Sequence, residues 1–375
     1  MNNIEIYKNR EKYCSFPSIV KVSQEHLIIV FRVAGLKSVE AARNQEVTHH
    51  DSDSSIALME SFDSGRSWDS SSFKIIYSPP THVGVNDPGL TILKNGDLIL
   101  RIALINVAKS NEREILGSDI LSHRVEHGLI SSLKGNLLMK SNNLGKTWNQ
   151  IGMVENLDTE PFCSREPIIE LEDGSFVLSV YNGAPKKADT SFILRSFDFG
   201  KTWGDKTVIA QDPEFDKGQH YGINYNETAV LNVGKGELLA MVRADSSFTT
   251  DSGEIIKVGG VGELIFTKST DAGLSWYPLR ASGVWGQPAH LIKISNGRIL
   301  CTYGYRKSPL GVRGVVSSDL GETWSEPIII NENAPNWDLG YPSSVELDDG
   351  TIFTSYYLND AKNCRYIQGT HWSLI

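Results

Sequence analysis

An eight-residue phrase of the form Ser-x-Asp/Asn-x-Gly-x-x-Trp occurs five times along the chain. Its copies are SFDSGRSW (61–68), SNNLGKTW (141–148), SFDFGKTW (196–203), STDAGLSW (269–276) and SSDLGETW (317–324). Each copy has the residues of a tight turn, because Asp or Asn accepts hydrogen bonds from its own loop backbone, Gly adopts a positive φ, and Trp packs back as an anchor. Repeats must stack on one another to bury their faces, so residues 1–375 are predicted to form one large domain.

A second repeat, made of a strand, a tight turn and another strand, interlocks with the first. Its six copies begin at Pro17, Pro88, Pro167, Glu227, Ala289 and Pro342. Turns such as Asn-Gly and Asp-Gly between apolar runs are the strongest short-range signal of a β-hairpin. Each hairpin except the last is followed by one octapeptide, which would join strands three and four of the same unit. We therefore predict an all-β fold, a six-bladed β-propeller.

The last blade has no fourth strand of its own. RYIQGTHWSL (365–374) would be its third strand, and the N-terminal IEIYK (4–8) can supply the fourth. Such closure ties the first blade to the last and leaves no open sheet edge. One insertion, at about residues 106–134, interrupts the repeat, and we expect it to form a lid or rim that can include a short helix.

Composition limits the classes of partner. The formal net charge of −9 argues against a general affinity for nucleic acid or for an anionic membrane, and no run approaches the length of a membrane span. The N-terminus lacks the apolar core of a signal peptide, which predicts a cytoplasmic protein unless a leader has been removed. The four cysteines are scattered without metal-site spacing, so free thiols are expected rather than disulfides, and neither a metal nor an organic cofactor is expected.

Turn parity predicts which face of the propeller carries a site. In a four-stranded antiparallel blade, the turns after strands one and three lie at the same end, so the octapeptides mark one face and the site belongs on the other. The starts of the first strands and the ends of the second strands meet there. Their polar residues include Arg32, Arg101, Asp87, Arg165, Glu166, Glu227, Arg243, Arg306 and Tyr341. The planar guanidinium group of arginine can donate two hydrogen bonds to one carboxylate. We therefore predict a local anion-binding pocket, although the protein as a whole is acidic.

The octapeptide is the Asp box, and its repetition resembles the sialidase superfamily of β-propellers over nearly the whole chain. The segment NETAVLNVGKGELLAMVR (226–243) resembles the sialidase blade that begins with a glutamate and ends with an arginine of the substrate-carboxylate triad, which implies these roles for Glu227 and Arg243. GYPSSVELDDG (340–350) resembles the segment that carries the nucleophile, which implies that role for Tyr341. A substrate with a carboxylate on its anomeric carbon repels an anionic nucleophile, so a neutral Tyr activated by a Glu attacks instead.

The resemblance also implies a general acid from the loop of the first blade. Asp53 is preferred there over Asp51, and Asp87 is a further candidate. A third arginine of the triad would come from blade five, as Arg306 or Arg313. The family's first arginine lies in a Phe-Arg-Ile-Pro phrase, but this chain has a serine there, in CSFP (14–17), and Arg32 could take its place.

These residues lead to one expected function and two alternatives. The resemblance implies a retaining exo-glycosidase that removes a terminal sialic acid or a related carboxylated sugar from a glycan. The missing arginine makes another acidic sugar or a different glycan plausible. The alternatives are another glycan-active enzyme on the same fold, either an inverting hydrolase or a uronate lyase, and a non-catalytic glycan-binding propeller.

Overall fold

The structure is almost entirely β. The computed structural model describes residues 1–43, 49–109, 111–112, 114, 124–126, 129–155, 162–182, 188–212, 221–249, 255–260 and 262–374. Within these ranges the chain forms six antiparallel sheets and one α-helix, α1 (Leu36–Arg43). No helix in the described ranges has the length and apolar character needed to cross a membrane. The predicted six-bladed propeller is confirmed.

The first three blades follow one another along the chain. Blade one consists of β2 (Tyr13–Lys21), β3 (Leu27–Ala34), β4 (Ser54–Ser61) and β5 (Lys74–Tyr77). Blade two consists of β6 (Val83–Ile92), β7 (Leu98–Lys109), β8 (Arg124–Glu126), β9 (Leu129–Ser141) and β10 (Asn149–Val154). Blade three consists of β11 (Phe162–Cys163), β12 (Ile169–Glu170), β13 (Phe176–Asn182), β14 (Ser191–Ser196) and β15 (Gly204–Ala210).

The other three blades complete the ring. Blade four consists of β16 (Tyr221–Gly234), β17 (Glu237–Thr249), β18 (Ile255–Gly260), β19 (Glu263–Ser269) and β20 (Arg280–Trp285). Blade five consists of β21 (Ala289–Lys293), β22 (Ile299–Tyr305), β23 (Gly311–Ser317) and β24 (Ile328–Asn331). Blade six consists of β25 (Gly340–Glu346), β26 (Ile352–Asn359), β27 (Arg365–Trp372) and β1 (Asn2–Tyr7).

The N-terminal strand closes the ring as predicted. β1 pairs antiparallel with β27, from Asn2 opposite His371 to Tyr7 opposite Ile367. The fourth strand of the last blade therefore comes from the opposite end of the chain. This pairing covers the edge that β27 would otherwise leave open.

The predicted insertion extends a hairpin of blade two. β7 and β9 remain paired as far as Lys109 opposite Leu129, and β8 pairs with β9. Residues 110, 113, 115–123 and 127–128 of this insertion lie outside the described ranges, and most of the segment in which a short helix was expected is among them. The role of the insertion as a lid stays a prediction.

Each Asp box is a turn held by its own Ser and Asp side chains. In the first copy, Ser61 Oγ donates to Asp63 Oδ1 at 2.8 Å, and the same carboxylate oxygen accepts from Ser67 N at 2.8 Å. Gly65 N donates to Ser61 Oγ at 2.9 Å. The other four copies have the same pattern.

The Asp boxes lie at the end of the blades that parity predicts. Each joins strands three and four of its blade. In blade one, Ser64 N donates to Glu25 O at 2.8 Å, and Glu25 belongs to the turn between β2 and β3. In blade four, Ala272 N donates to Gly236 O at 2.7 Å, across the same pair of turns. The face at which the first strands begin is thus opposite the Asp boxes.

The core consists of separate apolar clusters between neighbouring blades. In five of them, the Asp-box tryptophan packs between its own blade and the preceding one: Trp68, Trp148, Trp203, Trp276 and Trp324. Blade six has no Asp box. There Trp372, at the end of β27, packs between blades five and six, and its Nε1 donates to Thr354 Oγ1 at 2.9 Å.

We predict that Trp372→Ala lowers the free energy of unfolding by about 3–5 kcal/mol, because it leaves a cavity between two blades and removes a buried aromatic side chain. Trp337→Ala is the control, since Trp337 is 57% exposed. Urea unfolding followed by circular dichroism measures both variants. An equal decrease in the free energy of unfolding of the two variants would contradict the role of Trp372 in packing blade five against blade six.

Candidate active site

Four first strands have a bulge near their start, at the face opposite the Asp boxes. The pairing register shifts there in β2, β6, β16 and β25. At each shift one non-glycine residue has a positive φ: Phe16 (54°), Asp87 (36°), Glu227 (39°) and Tyr341 (49°). Such backbone is strained, and a bulge turns a side chain away from the alternation of a regular strand.

The bulges help to form a pocket at the centre of the ring. Phe16, Asp87 and Tyr341 line it, together with Arg165 and Glu166 of blade three and His290 of blade five. No Asp-box residue lines this pocket.

A chain of four polar side chains crosses the channel between blades six and four. The Tyr341 hydroxyl donates to Glu227 Oε1 at 2.6 Å, so the predicted contact between these two residues is confirmed. Arg243 NH1 donates to Glu227 Oε2 at 2.5 Å. The Nε of Arg243 forms an ion pair with Asp245 Oδ2 at 2.9 Å. Both oxygens of Glu227 are therefore occupied, one by the phenol and one by the guanidinium.

The charges in this chain set the protonation of its members. Burial alone would raise the pKa of Glu227, but the charge of Arg243 and the hydrogen bond from Tyr341 lower it to about 2. Burial raises the pKa of Tyr341 well above its ordinary value, and the negative charge of Glu227 raises it further. At neutral pH the pair is a neutral phenol bonded to a carboxylate.

Asp87 lines the pocket, and its carboxyl is in a different electrostatic state from that of Glu227. It is 4% exposed, and its Oδ1 has no hydrogen-bond partner among the described residues. Burial raises its pKa to about 7, with a further contribution from the charge of Glu227, while Arg101, Arg165 and Arg32 act in the opposite direction. Near neutral pH a large fraction of Asp87 is protonated, so its carboxyl can both donate and accept a hydrogen bond.

Arg165 lies beneath the phenol. Its guanidinium carbon is 5.2 Å from the centre of the Tyr341 ring. Its NH1 contacts the carboxylate of Glu166 and donates to Ala289 O at 2.7 Å, and its NH2 donates to Pro342 O at 3.2 Å. The Arg165–Glu166 pair thus connects blades three, five and six around the pocket.

Three other predicted arginines are buried and bonded to the backbone. Arg32 Nε donates to Val85 O at 2.9 Å, and its NH2 pairs with Asp51. Arg101 donates to the carbonyls of Glu166 and Ser164, at 3.1 and 2.7 Å. Arg313 donates to the carbonyl of Asn331 at 2.5 Å and to that of Pro309 at 3.1 Å. Their exposures are 0%, 0% and 4%. Arg32 NH1 and Arg101 NH2 have no hydrogen-bond partner among the described residues. The predicted contact of these three arginines with substrate stays a prediction.

Arg306 is partly exposed and lies at the rim. Its Nε donates to Trp337 O at 3.1 Å, its NH2 to Leu339 O at 2.9 Å, and its NH1 to Gln287 O. Its positive charge acts on the phenol of Tyr341, which places it close to the pair. Of the two candidates from blade five, Arg306 is therefore the better candidate for a contact with substrate.

The two predicted acids of the first-blade loop differ in surroundings. Asp51 is 3% exposed, and its Oδ2 accepts from Ser38 Oγ at 2.7 Å besides pairing with Arg32. Asp53 is exposed, and its carboxylate lies against Gly35. Ser38 belongs to α1, a helix that the sequence did not predict within this loop.

Sequence reasoning missed several residues around the pocket. Phe16 was among them, although a repeated X-Pro dipeptide at the start of first strands could have identified it. Asp245 lies two residues after Arg243 on β17, so strand alternation could have placed it beside the arginine. His290 lines the pocket, where burial and the charge of Arg165 lower its pKa to about 3. Within the described ranges, no group of three or more His, Cys, Asp or Glu residues converges as a metal site.

Comparisons with known proteins agree with this architecture. Residues 122–354 match the model of the BNR repeat-like domain family. No curated protein matches the chain significantly. A Dyadobacter fermentans protein of unknown function is 24% identical, with a TM-score of 0.79 over 100% of this chain and 98% of that one.

Two sialidases share the fold at lower identity. The NanB sialidase of Streptococcus pneumoniae is 13% identical, with a TM-score of 0.66 over 98% of this chain and 70% of that one. The Trypanosoma rangeli sialidase is 14% identical, with a TM-score of 0.60 over 96% of this chain and 55% of that one.

We predict that Asp87→Asn flattens the dependence of stability on pH between about pH 4 and 7. A carboxyl whose pKa is raised in the folded state binds its proton more tightly there than in the unfolded chain, so the wild-type protein loses stability as the pH rises through this range. For a shift from 3.8 to about 7 the loss is about 4 kcal/mol, and Asn removes it. Denaturant unfolding at several pH values measures the effect, and parallel curves for the two proteins would contradict it.

Proposed function

Because the chain belongs to the BNR repeat-like family and has the sialidase fold, we propose that it is a retaining exo-glycosidase with Tyr341 as its nucleophile. The observation that carries this proposal is the buried hydrogen bond of 2.6 Å between the Tyr341 hydroxyl and Glu227. A phenol with a raised pKa is a poor nucleophile unless a base removes its proton as it attacks. Glu227 is in contact with that proton.

In the first half of the reaction, the Tyr341 oxygen bonds to the anomeric carbon, the phenolic proton passes to Glu227, and the bond to the leaving oxygen breaks. A third group gives a proton to that oxygen, and of the two predicted loop acids Asp53 is the exposed one. Water then attacks the anomeric carbon and gives one proton back to that third group, while Tyr341 leaves and recovers its own proton from Glu227. Two displacements retain the anomeric configuration.

Arg243 has two functions in this scheme. In the free protein it holds the pKa of Glu227 at about 2, which makes that carboxylate a weak base. A substrate carboxylate that binds Arg243 competes with Glu227 for the guanidinium and so raises the basicity of Glu227. Substrate binding would therefore activate the base, and a sugar without a carboxylate would not.

We propose a terminal sialic acid or a related carboxylated sugar as the substrate. A tyrosine nucleophile suits such a sugar, because the carboxylate attached to the anomeric carbon would repel an anionic nucleophile. Arg243 and Arg306 are the arginines that support carboxylate binding, and Asp87 can bond to a sugar hydroxyl. The serine at position 15, where the resemblance calls for an arginine, favours a related acidic sugar at least as much as sialic acid itself.

We predict that Tyr341→Phe reduces kcat by at least about 10²-fold while the variant remains folded, because it keeps the ring and removes the attacking oxygen. The assay is sugar release from sialosides and uronic-acid glycans, with the product anomer read by NMR. A variant with near-wild-type turnover would make Tyr341 a wall of the pocket and favour the inverting or lyase mechanism.

We predict that Arg243→Ala lowers kcat/KM by an amount that corresponds to about 2–5 kcal/mol of transition-state free energy, since it removes a charged partner of the substrate at a partly buried site. Arg66→Ala, whose side chain is 60% exposed and lies on the Asp-box face, is the control and should leave the kinetics unchanged. Unchanged kinetics in the Arg243 variant would rule out the carboxylate contact.

A further inference from the structure

The proposed reaction needs a proton donor for the leaving oxygen, and the first-blade loop contains one more candidate besides its two aspartates. His49 lies two residues before Asp51 and four before Asp53. Its side chain is 24% exposed, so it is neither sealed in the core nor free in solvent.

His49 is held by a tyrosine and a carboxylate. Its Nε2 lies 3.0 Å from the Tyr13 hydroxyl and 3.7 Å from Asp338 Oδ1. The Tyr13 hydroxyl donates its single hydrogen to Asp338 Oδ2 at 2.7 Å. The tyrosine oxygen can therefore only accept from His49, which fixes the proton of the neutral imidazole on Nε2. Nδ1 is left without a hydrogen-bond partner among the described residues.

Asp338 is a rigid anchor for this imidazole. It is 1% exposed, and it also accepts from Tyr357 Oη and from Arg365 Nε, each at 2.7 Å. Burial opposes its ionisation, but the contact with His49 and the charge of Arg365 hold its pKa below the ordinary range. The Asp338 carboxylate and the Tyr13 hydroxyl together hold the Nε2 edge of the imidazole in place.

A further charged group near His49 is Arg32. Its NH2 donates to the His49 backbone oxygen at 3.4 Å. Arg32 also forms an ion pair with the carboxylate of Asp51.

A single aromatic ring connects His49 with the nucleophile. Phe16, the strained bulge residue of blade one, makes an edge contact with the His49 ring at 4.8 Å between centroids. The same phenyl ring makes an edge contact with Tyr341 at 4.6 Å. His49 and Tyr341 thus flank one residue of the pocket wall.

We propose that His49 is the acid and base of the reaction, acting through Nδ1, an inference that rests on the proposed glycosidase activity. In the first half, the Nδ1 proton of the imidazolium passes to the leaving oxygen as the glycosidic bond breaks. In the second half, Nδ1 takes a proton from the water whose oxygen bonds to the anomeric carbon, and the imidazolium is restored. Tyr13 and Asp338 act as positioning residues.

The test compares two substrates that differ in their need for an acid. The probes are the methyl and 4-nitrophenyl α-glycosides of N-acetylneuraminic acid, since nitrophenolate leaves without protonation and methoxide does not. We expect His49→Gln to lose about 10²- to 10⁴-fold in kcat/KM on the methyl glycoside and only a few-fold on the aryl glycoside. The variant should also lose the limb of the pH profile that reports the acid. His50→Gln, at the neighbouring histidine, is the matched control and should keep wild-type kinetics on both probes.

The variants distinguish a failure of the glycosidase mechanism from a failure of the role of His49. Tyr341→Phe should fail on both glycosides. Retained activity in that variant would overturn the glycosidase mechanism rather than the role of His49. If Tyr341→Phe is inactive but His49→Gln affects both probes equally or neither, the inference about His49 is wrong. Selective loss in Asp53→Asn instead would assign the acid to Asp53.

A second measurement needs no substrate. In ¹⁵N NMR of the imidazole side chains, assigned with the His49→Gln variant, neutral His49 should carry its proton on Nε2. Tyr13→Phe should relax this preference. A proton on Nδ1 in the wild-type protein would overturn the arrangement even if neither glycoside is cleaved.

Discussion

The site depends on one constraint: six first strands must meet around a narrow channel, and some of their side chains must point into it. A regular strand would direct alternate side chains towards the neighbouring blades. The bulges at Phe16, Asp87, Glu227 and Tyr341 break that alternation, at a cost of about 1–3 kcal/mol for each left-handed non-glycine residue. Such strain persists only where the surroundings over-determine the backbone. The interblade clusters, each sealed by a tryptophan, and the Asp boxes at the opposite face provide that rigidity.

Buried charge is the second determinant of the pocket. Glu227 and Asp87 lie close enough for the negative charge of Glu227 to raise the pKa of Asp87. The two carboxyl groups therefore differ in protonation. Glu227 is paired with Arg243 and stays ionised, whereas Asp87 has its pKa raised to about 7. One carboxylate can therefore act as a base while the other serves as a hydrogen-bonding carboxylic acid. Two other arginines are paired with carboxylates, Arg165 with Glu166 and Arg32 with Asp51.

The repeats made the fold readable from sequence. Octapeptides and hairpins indicated six blades and the closing strand, and turn parity indicated the face of the site. Resemblance then identified Tyr341 and Glu227, whose contact spans 114 positions of sequence. Burial of the arginines was not readable, because an arginine at a strand end has the same local sequence whether it faces the channel or supports the wall. The contact between His49 and Asp338 joins the first blade to the last, and no local pattern marks it.

The claim on which the account rests is that Tyr341 forms a covalent bond to the sugar. A 2,3-difluorinated sialic acid tests it directly, because fluoride leaves without an acid and the second fluorine slows hydrolysis of the intermediate. Peptide mapping by mass spectrometry after incubation should locate the glycosyl group on Tyr341, and the Tyr341→Phe variant should remain unmodified. An adduct on another residue, or an unmodified protein that still cleaves sialosides, would contradict the account.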